Sequence, residues 1–367
     1  MHELSREDVL ADVAIFVHAA GSASSDANLA MIQAMLSRLS LLDKDLSYLA
    51  ISILLAVGDE RARTLGHSQL KAIGLTPSAV KIEGVTSVDV SMESDAIDLL
   101  VVAVKPNELF ACMVAFDLDL STPPTPLGRY GVGAWHGTFS DGTRYSLVMI
   151  GAGGTVDAAS FSAFITEFIR PKLAVLIGMA AGWVEHSDLG DVIFADAIVD
   201  FDLRKQTKTS VVLKPSTYSI SRSLVDGFLH LGLAKRVWRQ TVMDRFEAIP
   251  TQELKRFDIP IPRVWKRAFK GRLGRGVVLA GNTLYEDGSH TKVKKEHEGR
   301  LRAVEMEGSG FASACERAGV PYVVARGIAD YGESGRDKDW QFIATLNAAL
   351  AVRKHIEAGY LSGVGLN

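Results

Sequence analysis

The hydrophobic positions of this chain fall into two regimes. Over residues 1 to about 78 they recur at three- and four-residue steps, the spacing of amphipathic helices. Val9, Val13, Phe16 and Val17 share one face behind a Ser5/Asp8 cap, and Leu29, Ile32, Met35, Leu36 and Leu39 share another. Asp43 to Ala56 and Glu60 to Ile73 read as two further helices. Residues 80–95 are short, alternating and polar, and predict a linker or edge strand with a domain boundary near Ser94. Beyond it, apolar residues come in short solid runs set off by glycine and proline. Ile97–Val104, Lys172–Ile177 and Tyr322–Ala325 read as strands buried on both faces, and Val277–Ala280 as a further strand. Ala134–Phe139 and Tyr145–Ile150 predict two strands joined by S-D-G-T, and Leu189–Lys205 a turn followed by strands. Helices are expected from Lys105, within Gly151–Ser160, over much of Ser219–Phe257, over Gly308–Ala318 and, as a closing amphipathic helix, over Trp340–Ile356. The pattern predicts an α/β body over residues 95–367 behind a small all-α module over residues 1–94.

The body's most informative stretch is A-V-E-M-E-G-S-G-F-A-S-A-C-E-R-A-G-V-P-Y-V-V-A-R-G-I-A-D-Y-G-E, Ala303 to Glu333. A small-residue helix, a turn at Gly319 and Pro321, and a buried strand follow one another. Two carboxylates, Glu307 and Asp330, stand at opposite ends of this helix–strand unit, and the strand's end is expected to deliver Arg326 beside Asp330. Ligands of open α/β sheets bind at the carboxyl ends of strands. A buried acid beside an arginine there is a group whose protonation can be tuned.

V-E-M-E-G followed by V-P-Y-V-V-A-R-G-I-A-D resembles the signature of the purine nucleoside phosphorylase / methylthioadenosine nucleosidase superfamily. The continuation D-Y-G-E-S-G-R-D-K-D-W-Q resembles a branch fused to immune-type modules, some of whose members are ATP nucleosidases in antiphage defence. The resemblance spans roughly Ala96 to Ile356. It implies a nucleoside phosphorylase-like mixed central sheet flanked by helices, and hydrolysis of the N-glycosidic bond of an adenine nucleotide. ATP or dATP would give adenine and a (deoxy)ribose 5-triphosphate. A purine nucleoside phosphorylase, a methylthioadenosine/adenosylhomocysteine-type nucleosidase and a non-catalytic nucleotide sensor are the alternatives.

The same resemblance assigns residues. Asp330 would protonate or hydrogen-bond the purine at N7, and Glu108, at the end of the first body strand, would orient or deprotonate water. Glu307 would accept the ribose hydroxyls, Met306 would pack on the sugar, and Arg326 would hold the loop. Met179, Ala180 and Ala181, in G-M-A-A-G-W, would line the sugar and base, and Leu284 or Tyr285 would lie on the purine face. Met179, Ala181 and Asn282 depart from the superfamily pattern. Leu176 stands where phosphorolytic members carry an arginine, which favours water over phosphate as nucleophile. No metal or cofactor is implied, and the superfamily's habit implies a homo-oligomer.

Composition alters this picture in one respect. The chain has 367 residues, 47% hydrophobic and 8% aromatic, with net charge −3, so nothing global suggests nucleic acid. Residues 1–100 carry 7 Lys/Arg against 14 Asp/Glu, whereas the remainder carries 33 against 29. An acidic front and a mildly basic body suit two modules, the first packing or dimerising, or binding a signal molecule or partner protein. Arg204, Lys205, Lys208, Lys292, Lys294 and Lys295 are candidate polyphosphate neighbours or plain surface. R-V-W-K-R-A-F-K-G-R, from Arg263, is too short to argue for nucleic acid. Cys112 and Cys315 read as buried thiols. The amino terminus lacks an apolar signal core, and no run approaches the roughly 20 residues that span a bilayer, so a cytoplasmic protein is expected.

Overall fold

The computed structural model describes residues 97–127, 132–151, 153–169, 171–201, 204–206, 211–230, 234–260, 265–282, 300–332 and 338–359. The chain divides into two units, Met1–Met92 and Glu93–Asn367, and all described residues belong to the second. The helical module expected over residues 1–94 lies outside the described residues.

The strands of the body are β1 (Leu99–Ala103), β2 (Thr125–Leu127), β3 (Val132–Thr138), β4 (Arg144–Met149), β5 (Leu173–Ala181) and β6 (Val192–Asp200), followed by β7 (Arg204–Gln206), β8 (Val211–Leu213), β9 (Ser216–Ser219), β10 (Leu273–Ala280), β11 (Leu301–Glu305) and β12 (Tyr322–Asp330). The helices are α1 (Pro106–Ala115), α2 (Thr155–Ile169), α3 (Arg222–Leu229), α4 (Lys235–Glu247), α5 (Thr251–Arg256), α6 (Trp265–Ala268), α7 (Gly308–Ala318) and α8 (Gln341–Glu357). The main sheet runs β11-β10-β6-β12-β5-β1-β4-β3-β2, with β9 on β6, and is mixed. β1 is parallel to both β4 and β5, while β12 is parallel to β5 and antiparallel to β6. A single antiparallel pair, Val304 opposite Ala181, joins β11 back to β5 and closes five strands into a ring.

Burial explains the solid apolar runs. All five residues of β1 are buried, as are the first six of β5 and the first eight of β12. Helix α8 packs on β12 and α1, and α7 packs on α2. Two glycines permit the closest approaches. A Cβ at Gly327 would overlap the Ala344 carbonyl, and one at Gly310 would overlap that of Thr155. The helix–strand reversal depends on a third: Gly319 closes α7 in the left-handed region, at φ 67°. That reversal brings Glu307 and Asp330, separated in sequence, to the same end of the sheet.

Several boundaries differ from the sequence pattern. β5 continues past Ile177 through Ala181, because β12 keeps pairing with it along Gly178 to Ala181 and β11 meets it at Ala181. β12 likewise runs past Ala325 to Asp330, so Arg326 lies inside the strand rather than at its end. β11 occupies residues that lead into α7, and β2 lies within Thr122 to Gly133, whose prolines and glycines predict a loop. α8 is buried on nearly every side instead of amphipathic, since it is covered by the sheet, α1 and the helices α3 and α4. Cys112 and Cys315 are free and buried, as expected. Trp265 and Phe269 of the basic-aromatic run are core residues and present no stacking platform. Among the described residues no helix is long and apolar enough to cross a membrane.

Candidate active site

The chain order makes the crevice. From β1 the sheet grows to one side through β4, then returns across β1 to add β5 on the other. Such a reversal leaves an opening beyond the carboxyl ends of the two strands. Pro106 starts α1 immediately after β1, and Glu108 falls in the helix's first turn, where negative charge is favoured. Its Oε2 accepts the backbone N–H groups of Val104 at 3.1 Å and Lys105 at 2.9 Å, a capping-box contact. Its Oε1 reaches across the crevice to the N–H of Met179 at 2.8 Å. A glutamate that only capped its own helix would not make this third bond.

Opposite Glu108 stands a buried arginine. Arg326 of β12 is the register partner of Gly178 in β5 and has no solvent exposure. Its Nη2 donates to Glu305 Oε2 and, at 3.3 Å, to Glu307 Oε2. Glu305 accepts the N–H groups of Glu307 and Gly308 at 2.9 Å, and Glu307, at the N-cap position of α7, turns its Oε1 away from the helix to accept the Gly154 N–H at 3.1 Å. Nη1 and Nε of Arg326 have no hydrogen-bond partner. Nη1 faces the space where Gly178 lacks a side chain: a Cβ there would overlap it and stand 2.6 Å from Glu108 Oε1. One small notch is therefore lined by a carboxylate oxygen and a free guanidinium N–H.

Three carboxylates surround one cation. Burial raises the Glu108 pKa above its ordinary value, with Arg326 pulling it down and Glu307 pushing it up. Burial also raises that of Glu305, against the pull of Arg326. The arginine loses hydration on burial, but Glu305, Glu307 and Glu108 outweigh that loss and hold it charged, with its pKa raised.

Asp330, at the end of β12, is half-buried and pairs in register with Ala181. Its Oδ1 accepts the Gly332 N–H at 2.8 Å, and its carbonyl accepts that of Gly182 at 2.9 Å. The expected partnership of Arg326 with Asp330 is corrected. Four strand positions separate them, roughly 13 Å at the usual rise, and the arginine's ion pairs go to Glu305 and Glu307. Met179 and Met306 are partly exposed at the crevice, and Ala180 and Ala181 are buried along it. Thr155, at the start of α2, ties the rim together. Its Oγ1 donates to the Met306 carbonyl at 3.1 Å, and its N–H donates to Asn282 Oδ1 at 2.9 Å. Leu284, Tyr285, Lys208, Lys292, Lys294 and Lys295 lie outside the described residues. Sequence reasoning passed over Glu305, although V-E-M-E spells it out beside Glu307. Among the described residues no cluster of His, Cys, Asp and Glu could hold a metal ion.

The Phosphorylase superfamily profile matches residues 122–358, well over half of the sequence. The chain belongs to the Phosphorylase superfamily. Among curated relatives, the ATP nucleosidase Cap17 of Escherichia coli is 22% identical over 272 residues, covering 72% of this chain and 52% of that protein. The chain thus spans about half the length of that relative. A 5'-methylthioadenosine/S-adenosylhomocysteine nucleosidase of Oceanobacillus iheyensis is 23% identical over 206 residues, 54% of this chain and 75% of that one. Of solved structures, the corresponding nucleosidase from S. pneumoniae, with a transition-state inhibitor, superposes with a TM-score of 0.52. It covers 71% of this chain and 98% of that one at 18% identity. That from Colwellia psychrerythraea, in complex with adenine, gives 0.51 over 71% and 95% at 17% identity. These likenesses are of fold, and the nucleoside phosphorylase fold is the one expected from the V-E-M-E-G and R-G-I-A-D motifs. In this superfamily member the motifs fall at the carboxyl end of β11, the start of α7 and the end of β12.

Proposed function

We propose that this protein hydrolyses the N-glycosidic bond of a purine nucleotide, with ATP or dATP as substrate. The reading includes a homo-oligomer, a catalytic body over residues 95–367, and a module over residues 1–94 that gates activity in response to a signal, as a defence effector against phage would require. The notch between Glu108 Oε1 and Arg326 Nη1 carries it. A water molecule reaching Glu108 from the crevice would donate to the carboxylate, whose proton affinity the arginine behind it tunes. Inorganic phosphate would instead meet Glu108, Glu305 and Glu307, three like charges around one cation. Leu176, fully buried in the core, offers no second cation. These features favour hydrolysis over phosphorolysis, and kinship with Cap17 favours a nucleotide over a nucleoside.

In this reading Asp330 gives its proton to N7 as the bond between N9 and C1′ breaks, so the base leaves neutral. Glu307 accepts hydrogen bonds from the ribose hydroxyls, and its charge, held by Arg326 and the Gly154 N–H, offsets the positive charge that grows on the sugar. Met306 packs on the sugar, and Met179, Ala180 and Ala181 line the crevice beside it. Glu108 takes a proton from water as the water oxygen bonds to C1′. The products are a free base and a reducing sugar that keeps its 5′ phosphates.

Chromatography of products from ATP, dATP, adenosine and methylthioadenosine, each with and without phosphate, tests this on the full chain. Adenine and a ribose 5-triphosphate, formed without phosphate and lost in Asp330→Asn, are expected. Preference for methylthioadenosine would move the reading to a metabolic nucleosidase. Ribose 1-phosphate would overturn hydrolysis.

A further inference from the structure

The proposed chemistry uses the second glutamate of V-E-M-E and leaves the first without a task. Glu305 is nonetheless the more deeply buried of the two, with a side chain 1% exposed against 9% for Glu307. It is also fully committed. One oxygen takes the Glu307 N–H, both take the Gly308 N–H, and Arg326 Nη2 adds a charged donor. A guanidinium is planar, so fixing one of its nitrogens between two carboxylates fixes the direction of the others. With Nη2 held by Glu305 and Glu307, Nη1 is left facing the Gly178 notch and Glu108.

We infer that Glu305 is a positioning residue that locks the Arg326 guanidinium against Glu108 and balances its charge, and so sets how strong a base Glu108 is. The catalytic consequence rests on the hydrolase reading; the geometry does not. The groups acting on Glu108 come from every side of it. Arg326 faces it from β12, Glu307 from the turn before α7, and Cys112 lies near it on α1, while Glu305 acts through the arginine. Its remaining neighbours are the backbone N–H groups of Val104, Lys105 and Met179. While Glu305 is an anion, it cancels part of the arginine's field at Glu108, and the buried carboxylate keeps a high proton affinity. Removing that charge exposes Glu108 to an unbalanced cation. Its proton affinity then falls, and with it its power to deprotonate water.

The test uses the full chain labelled with carbon-13 at the glutamate carboxyl carbon. The Glu108 signal, assigned by its loss in Glu108→Gln, is titrated in wild type and in Glu305→Gln, alongside pH–rate profiles with ATP. In Glu305→Gln the Glu108 titration is expected to move down by about one pH unit, with the acid limb of kcat/KM following it and kcat falling about tenfold. A merely structural glutamate would lower kcat without moving either curve. If Glu305→Gln fails to fold by circular dichroism, Glu305→Asp decides, because it withdraws the charge by one methylene and gives a smaller shift in the same direction. An unmoved Glu108 titration in a folded variant overturns the inference. Absence of any hydrolysis by wild type sinks the hydrolase reading instead, and the titration still decides the role of Glu305.

Discussion

Arg326 and Gly178 are register partners on adjacent parallel strands, and the arginine's free edge fills the space that a side chain on the glycine would need. The relationship is unusual for a strand interior, where glycine weakens the sheet and a buried cation is costly. Each makes the other possible. Without Cβ at residue 178 the guanidinium can lie flat beside β5, and with three carboxylates near it the cation tolerates complete burial.

Gly178→Ala is therefore expected to remove activity with a disproportionate loss of stability. The new methyl would overlap Arg326 Nη1 and press on Glu108 Oε1, and both are held by bonds they cannot easily leave. Overpacking of this kind costs about 1–3 kcal/mol, which urea unfolding would register. Wild-type turnover of ATP by Gly178→Ala would show that the notch has no catalytic part.

The stability of the body should fall as pH rises from mild acid to neutral. Glu108 and Glu305 have raised pKa values in the folded state, so the folded chain binds protons that the unfolded chain, titrating near 4.5, has already released. Their contribution is lost as pH climbs through the folded values. Asp117 and Glu357, held low by Arg353 and its neighbours, act oppositely, losing their contribution as pH falls through their own depressed values. Urea unfolding at pH 5, 6, 7 and 8 should show the decline, and Glu108→Ala should make it shallower. An unchanged slope in that variant would mean that Glu108 is not the group responsible.

Gly310→Ala probes a packing contact away from the notch. Its Cβ would overlap the Thr155 carbonyl and stand 2.8 Å from the Ala159 amide nitrogen, so α7 and α2 would be forced apart. Thr155 and Gly154 also hold Met306 and Glu307, and the shift should raise KM more than it lowers kcat. Unchanged melting and kinetics would show that the two helices separate freely.

The legible part of this protein was its solid apolar runs. Ile97–Val104 and Lys172–Ile177 announced β1 and β5 because strands buried on both faces need no alternation. The start of α1 was legible for a different reason: Pro106 followed by Glu108 is what a helix N-terminus prefers. β12 could be read only as far as Ala325. A cation in the middle of a core strand looks like the strand's end until Glu305 and Glu307 are known to face it, and those lie 21 and 19 positions away in sequence. β11 was hidden because L-R-A-V-E is short, carries charge, and leads directly into a helix. Glu108, Glu307 and Asp330 were named from motif resemblance, not periodicity. The role of Glu305 required coordinates, since one glutamate two residues from another reveals nothing about which faces the arginine.

The ring of strands has a consequence for how this protein can fail. Five strands are closed by one rung, Val304 against Ala181, and that rung adjoins Glu305 on one side and pairs with the same residue as Asp330 on the other. A barrel fastened along its whole length must melt to open, whereas this one can come undone at a single stitch. Amide exchange at Val304 would then report the integrity of the proposed catalytic centre separately from that of the whole domain. Anything that loosened the stitch, whether a substitution, a denaturant or a neighbouring chain, would disable the proposed hydrolysis before it unfolded the domain.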